Sequence, residues 1–375
     1  MLKRSIISCG VLFALTAGTA LAQVTPTVDS LQRTAKAYAG LDWPGTYLRL
    51  CVPGQVPLAS RPVPTVNPAN YPDPALPDLP DGNPPKANWY SPPAKIGDNL
   101  YFLGTRNHNT YALVSKKGEI ILLDGNFDYA TEAEIHEGLR ILGLDKRKVR
   151  YLLIAHAHGD HDGGAHLTEA AIRGVTIVYG EGDWPGVLAR TVPHATRFGP
   201  QNDGTDGRVI RVGDVSVQIV TMPGHTPGTL SFLFEFKDKG QPIRAAYSGG
   251  TAISFTSTNP AVYDQYIASA RKFAQAAADY GATVMFSNHT EFDNAYFRAH
   301  TAARRAEGDD KNRHGKHHDD DDDDDDGGGR GHGKTDSVWN DVPNPYFVGQ
   351  RRVLNYTAVV ELCAMAAKLR AGHPL

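Results

Sequence analysis

Tyr151-Leu152-Leu153-Ile154-Ala155-His156-Ala157-His158-Gly159-Asp160-His161-Asp162-Gly163-Gly164 is the stretch on which the reading of this chain turns. It opens as an apolar run of strand length. It closes with three histidines and an aspartate inside the six positions from His156 to His161. Side chains alternate along extended chain, so His156 and His158 point the same way and can grip one metal ion. Asp160 and His161 follow the turn and face a second position next door. Imidazole nitrogen and carboxylate oxygen suit zinc. Gly159, Gly163 and Gly164 let the backbone turn without steric cost. A lone His-x-His pair is a weak sign, since most such pairs are solvated loop residues. Four such side chains directly after a buried-strand pattern point to metal.

Two more candidate ligands lie downstream. His225 sits in Met222-Pro223-Gly224-His225-Thr226-Pro227-Gly228. His289 ends the strand-like run Val284-Met285-Phe286-Ser287-Asn288-His289-Thr290.

The cluster, the Gly224–Gly228 turn and the late strand-end histidine together resemble the metallo-β-lactamase superfamily. The likeness runs in order from about Pro93 to His289, and more loosely to the C-terminus. Ala94-Lys95-Ile96-Gly97-Asp98-Asn99-Leu100-Tyr101-Phe102-Leu103-Gly104-Thr105 resembles the family's opening strands, and Asp124-Gly125 the turn before its first helix.

The resemblance implies a three-histidine zinc site, His156, His158 and His225, that keeps a fourth position for water. It implies a second zinc site from Asp160, His161 and His289. Many hydrolases of the superfamily, thioesterases and lactonases among them, add a bridging aspartate near the place of Ala246-Tyr247-Ser248-Gly249-Gly250-Thr251. Neither Asp nor Cys occurs there. The remaining set resembles subclass B3 of the metallo-β-lactamases. Such enzymes often carry serines near Gly249–Thr251 that hold the substrate carboxylate. Here Gly250 stands in that place, with Thr251 and Ser254 as partial substitutes.

The resemblance thus implies a dizinc hydrolase that opens the β-lactam ring by attack of a zinc-held hydroxide, its parent water lowered in pKa towards about 7. Asp160 is the expected catalytic residue, orienting the nucleophile and moving its proton. The expected partner is a small-molecule substrate. A same-fold hydrolase acting on lactones or other esters and amides is the first alternative, and a periplasmic zinc-binding or zinc-buffering protein is the second.

Outward from this centre, residues 1–22 read as a secretory signal. Lys3 and Arg4 lead an apolar segment, and Ala20-Leu21-Ala22 is a small-x-small cleavage site. The apolar run is short and interrupted, which favours cleavage over anchoring, so the mature chain is expected in a bacterial periplasm with no membrane attachment. Cys51 and Cys363 remain after cleavage. In an oxidising compartment they could pair, or they could be two buried thiols.

Residues 28–40 read as a short helix. Thirteen prolines between Pro53 and Pro93 exclude a sheet interior and a regular helix, so residues 23–93 are expected to form a helix and an extended strap. Strands are expected at 100–104, 111–115, 119–123, 149–155, 175–178, 209–212, 215–221, 230–236, 243–247 and 284–287. Helices are expected at 131–142, 164–172 and 261–280, and from Asn344 to about Leu369. Strands with interspersed helices and strand-end ligands indicate a layered α/β fold for 94–375. The resemblance narrows this to an αββα sandwich with the site along one edge of the two sheets.

Residues 307–336 hold His314, His317, His318, eight consecutive aspartates from Asp319 to Asp326, the run Gly327-Gly328-Gly329 and His332. Like charges repel and glycine adds backbone entropy, so a disordered insertion is expected. A solvated insertion without a role competes with a low-affinity zinc trap. The tract also dominates the net charge of −3. No basic helix or concentrated Lys/Arg face suggests a nucleic-acid partner. Nothing in the pattern indicates an oligomeric state.

Overall fold

The computed structural model describes residues 25–52, 83–252, 257–314 and 342–375; side chains of 306–314 are left aside. The expected signal, the run 53–82 of the proline-rich strap, Ser254 and the tract from 315 to 341 lie outside the described residues.

Two sheets form the centre. The first runs β1 (Ala94–Lys95), β2 (Leu100–Phe102), β3 (Tyr111–Val114), β4 (Ile120–Leu123), β5 (Val149–Leu153), β6 (Thr176–Gly180) and β7 (Asp203–Gly204), side by side in chain order. Its first four strands are antiparallel, and β4 to β7 are parallel. The second sheet holds β8 (Val209–Val212), β9 (Val215–Thr221), β10 (Leu230–Asp238), β11 (Gln241–Ser248) and β12 (Val284–Ser287). Only its β11–β12 pair is parallel.

The central strands read as continuous apolar runs because both faces of each sheet are covered. Period-two alternation then sorts the side chains. Leu113, Ile121, Leu123 and Leu153 face inward against Val217, Ile219, Phe232, Phe234, Tyr247 and Phe286 of the second sheet. Leu122, Leu152 and Ile154 face outward onto Ile135, Leu139 and Trp184. Val220, Leu233, Ala246 and Met285 face the opposite side, against Tyr263, Tyr266, Phe273 and Tyr356. The layers are helix, sheet, sheet, helix: the expected αββα sandwich.

The outer helices of the first sheet are short: α3 (Lys86–Trp89), α4 (Asp128–Thr131), α5 (Glu137–Ile141), α6 (Gly159–Asp162), α7 (Ala165–Ala171) and α8 (Trp184–Leu188). The second sheet is covered by α9 (Pro260–Tyr280) and α12 (Gln350–Arg370), on which α1 (Val28–Ala39) and α2 (Pro44–Cys51) also pack. Between them come α10 (Thr290–Asp293) and α11 (Ala295–His314). A disulfide joins Cys51 to Cys363 and so ties α2 to α12.

Three expectations change. The helix expected at 131–142 starts at Asp128 and passes through a π-helical segment, Glu132–His136. The last helix does not start at Asn344. The Asn344 amide donates to the Ile96 carbonyl, its oxygen accepts from the Tyr346 amide, and Tyr346 is buried in the inter-sheet core. Helix resumes only at Gln350. The stretch expected to be disordered from 307 begins as helix, because α11 continues to His314. Its first turns are anchored by buried Ala295, Ala299 and Ala302 and by Arg305 paired with Asp238.

Candidate metal centre

The His156–His161 loop leaves the carboxyl end of β5 and is held from both sheets. The Ala155 amide donates to Asp124, and the Ala155 carbonyl accepts from Leu230 of the second sheet. The Ala157 amide donates to Asp183, whose carboxylate also accepts from the Thr226 hydroxyl and the Gly228 amide. One buried acid therefore fastens the first histidine pair to the loop that carries His225. That loop needs its glycines. Gly224 has φ +146°, and a Cβ there would meet Tyr266. A Cβ on Gly250 would press on Thr229 and on His225 itself.

All six residues singled out in the sequence converge. His225 Nε2 lies 3.0 Å from His156 Nε2 and 3.1 Å from His158 Nδ1. Next to this group, His161 Nε2 lies 3.0 Å from His289 Nε2 and 3.2 Å from Asp160 Oδ2, and His289 Nε2 is 3.5 Å from that oxygen. The His156 and His161 rings are 4.3 Å apart, so the two groups are neighbours.

The outer ring nitrogens show what the inner ones are. His156 Nδ1 donates to the Gly249 carbonyl, His225 Nδ1 to the Ala252 carbonyl and His161 Nδ1 to the Asp124 carboxylate. A neutral imidazole that donates through one nitrogen presents a lone pair on the other. Between His156 and His225, lone pairs therefore face one another at 3.0 Å with no proton to share, an arrangement that a cation between them stabilises. Ligand atoms about 2.0–2.1 Å from a tetrahedral zinc stand about 3.3 Å apart, close to these separations. The donor set fits zinc.

Electrostatics agree with this at most positions. Burial, reinforced by neighbouring imidazoles, holds His156 and His289 well below the ordinary histidine pKa and brings His225 down to about 4. Burial also lowers His161, but the Asp124 and Asp160 carboxylates outweigh it and push that imidazole up to about 10. A proton thus competes with a cation at His161, and metal binding there must release it. Burial would raise Asp160, yet His161, His108 and His289 hold its carboxyl far below the usual range.

Two residues of the site escaped sequence reading. Asp124 was legible only as part of a turn. It is fully buried, has φ +70°, and accepts from the Ala155 amide, His161 Nδ1 and the Tyr247 hydroxyl. Its sequence signal was a single carboxylate ending an apolar strand. His108 stands in a hairpin between β2 and β3 and brings Nε2 to 3.3 Å from Asp160 Oδ2. Nothing in its local sequence marks it. The expected carboxylate-holding role of Thr251 is not available, because its hydroxyl is buried and donates to Asn288 Oδ1 at 2.9 Å.

The metallo-beta-lactamase superfamily model matches residues 103–238. The fold matches a subclass B3 metallo-beta-lactamase of Bradyrhizobium japonicum with a TM-score of 0.50 and 21% identity, over 73% of this chain and 93% of that one. Over residues 103–238 the chain thus carries the sequence pattern of the metallo-beta-lactamase superfamily, and its fold is an αββα sandwich like that of the matched structure. Among curated relatives, a hydroxyacylglutathione hydrolase of Methylococcus capsulatus is 35% identical over 24% of this chain and 32% of its own length. The lactamase-like protein aptB of Emericella nidulans is 28% identical over 37% of this chain and 40% of its own. The chain matches less than half the length of each of these two relatives.

Proposed function

We propose that this chain is an exported dizinc hydrolase whose substrate is a β-lactam. The observation that carries the reading is the ligand set. A three-histidine group and an Asp/His/His group stand side by side, and no carboxylate bridges them at Gly249–Thr251. That strand end instead offers the Gly249 carbonyl to His156 Nδ1.

His156, His158 and His225 would hold the first ion, and Asp160, His161 and His289 the second. When bound, two zinc ions supply a water of lowered pKa and a Lewis acid for the carbonyl oxygen of the substrate. The chain's own groups do the rest. The Gly249, Ala252 and Asp124 acceptors lock three of the rings in the tautomer that points a lone pair inward. Asp160 turns Oδ2 to the histidines. We assign its Oδ1 to orient the attacking water and hold the proton that water gives up. The cross-sheet pins at Ala155 and Asp183 keep the two groups at fixed separation.

Export is part of the same proposal. The Cys51–Cys363 disulfide supports an oxidising compartment, which agrees with the leader expected at 1–22. No helix among the described residues is long and apolar enough to cross a membrane.

A second reading, a hydrolase of acyl-glutathione thioesters or other esters, is favoured by the hydroxyacylglutathione hydrolases among the relatives. Purified mature protein offered a penicillin, a carbapenem, an acyl-homoserine lactone and an acyl-glutathione separates the two. β-Lactam turnover that stops with chelator, returns with zinc and is lost in His225→Ala supports the proposal. Zinc-loaded protein that leaves every β-lactam intact but cleaves a thioester or lactone replaces it with the second reading. Several loosely held metal ions with no turnover would point to zinc buffering instead.

A further inference from the structure

We infer that His108 is a fourth protein ligand at the second metal position, joining Asp160, His161 and His289. This rests on the dizinc reading above.

The backbone puts His108 there. His108 pairs with His289 across an isolated antiparallel bridge. The Asn109 amide donates to the Asn288 carbonyl, and the Thr290 amide to the Asn107 carbonyl. Side chains of directly opposed residues in an antiparallel pair leave on the same side, with Cβ atoms about 4.5–5.5 Å apart. The His108 ring therefore has to stand beside the His289 ring, and their centroids are 4.8 Å apart. Asn109 stiffens the register: its amide nitrogen donates to the Ser287 carbonyl, and its oxygen accepts from the Thr290 hydroxyl.

The distances suit coordination better than hydrogen bonding. His108 Nε2 is 3.3 Å from Asp160 Oδ2. A charge-assisted N–H···O bond closes to about 2.7–2.9 Å. Two ligand atoms on one tetrahedral zinc stand about 3.3 Å apart. One ligand atom each from His108, Asp160 and His289 lie within 4.8 Å of one another. On the ring's other side, Nδ1 faces the Thr105 hydroxyl at 3.4 Å, so Nε2 is the nitrogen turned to the cluster.

The consequence is a division of labour. Four protein ligands close the second position in the manner of a structural zinc site. The first position, with three histidines, is the one left open to water. The second ion is then held more tightly than three ligands would hold it.

The test is metal binding, apart from turnover. Wild type, His108→Leu and His108→Gln are titrated with zinc against a competing chelator. Each is then loaded with cobalt(II), and its hyperfine-shifted imidazole resonances are counted by NMR. Both variants are expected to bind the first equivalent as wild type does, and the second at least 10-fold more weakly. Each should lose one shifted imidazole N–H. An unchanged second equivalent overturns the inference. So does weaker binding with no resonance lost, which would place His108 outside the coordination sphere. Wild type that fails to take two ions sinks the dizinc reading itself, so the two failures are distinguishable.

Discussion

Single side chains decide how well this centre is preorganised, and Asp124 decides most. It is buried, and one carboxylate serves the loop backbone through Ala155, the His161 ring through Nδ1 and the second sheet through Tyr247. Asn at this position can accept at one oxygen only and turns an amide N–H towards a donor. His161 would then lose the anion that fixes its tautomer. Asp124→Asn is expected to weaken the second metal equivalent about 10–100-fold while leaving the first nearly untouched. A chelator-competition titration checks this, and equal losses at both positions would show that the change acts by general unfolding. The candidate ligands themselves were legible because metal chemistry admits few residue types and tight spacing. Asp124 and His108 were not, since their roles depend on what faces them across the fold.

Elements differ in how much of their fate is local. Helix α9 carries its own signals: Asn259 caps it through Ala261, Pro260 takes its first turn, and Gly281 ends it at φ +71°. Its bounds were therefore readable. Asn344-Pro345 carries a similar start signal, yet tertiary contacts claim it. The Asn344 side chain is spent on Ile96 and Tyr346, which delays helix α12 to Gln350. The N-terminal helices depend on α12 in turn. Cys51 and Cys363 are 312 residues apart in sequence, and their bond removes a large loop-closure entropy from the unfolded chain. Replacing both by serine should cost about 2–4 kcal/mol, read from the urea midpoint under oxidising conditions. Second-metal affinity should stay as it was. A midpoint equal to wild type would mean that the helix packing alone holds α1 and α2.

At the scale of the whole molecule the proposed metal centre would be a cross-link. His156, His158, Asp160 and His161 extend from the first sheet, whereas His225 and His289 come from the second. Ions that bind only the folded chain stabilise it by mass action, about 2.7 kcal/mol at free zinc one hundred times the dissociation constant. In a domain approaching this size each kcal/mol moves the thermal midpoint by about 2–4 °C. Calorimetry is expected to show a rise of several degrees on zinc loading that chelator reverses. A midpoint indifferent to zinc would mean that the two sheets do not share the ions.

By itself the sequence marked the candidate metal ligands and a layered α/β fold. Metal ligands need particular atoms at close spacing, so His156, His158, Asp160 and His161 announce themselves after an apolar strand. Strands buried on both faces need apolar residues throughout, so β3 and β4 do the same. Tertiary structure alone decided which partner each ligand meets. His225 and His289 reach the centre only because two sheets close on one another. Cys51 finds Cys363 where α2 and α12 pack on the outer face of the second sheet, and Asp124 finds His161 and His108 finds Asp160 where strands of the first sheet lie side by side. Contacts between residues far apart in the chain leave no local period or propensity, because their energy exists only once the elements have packed.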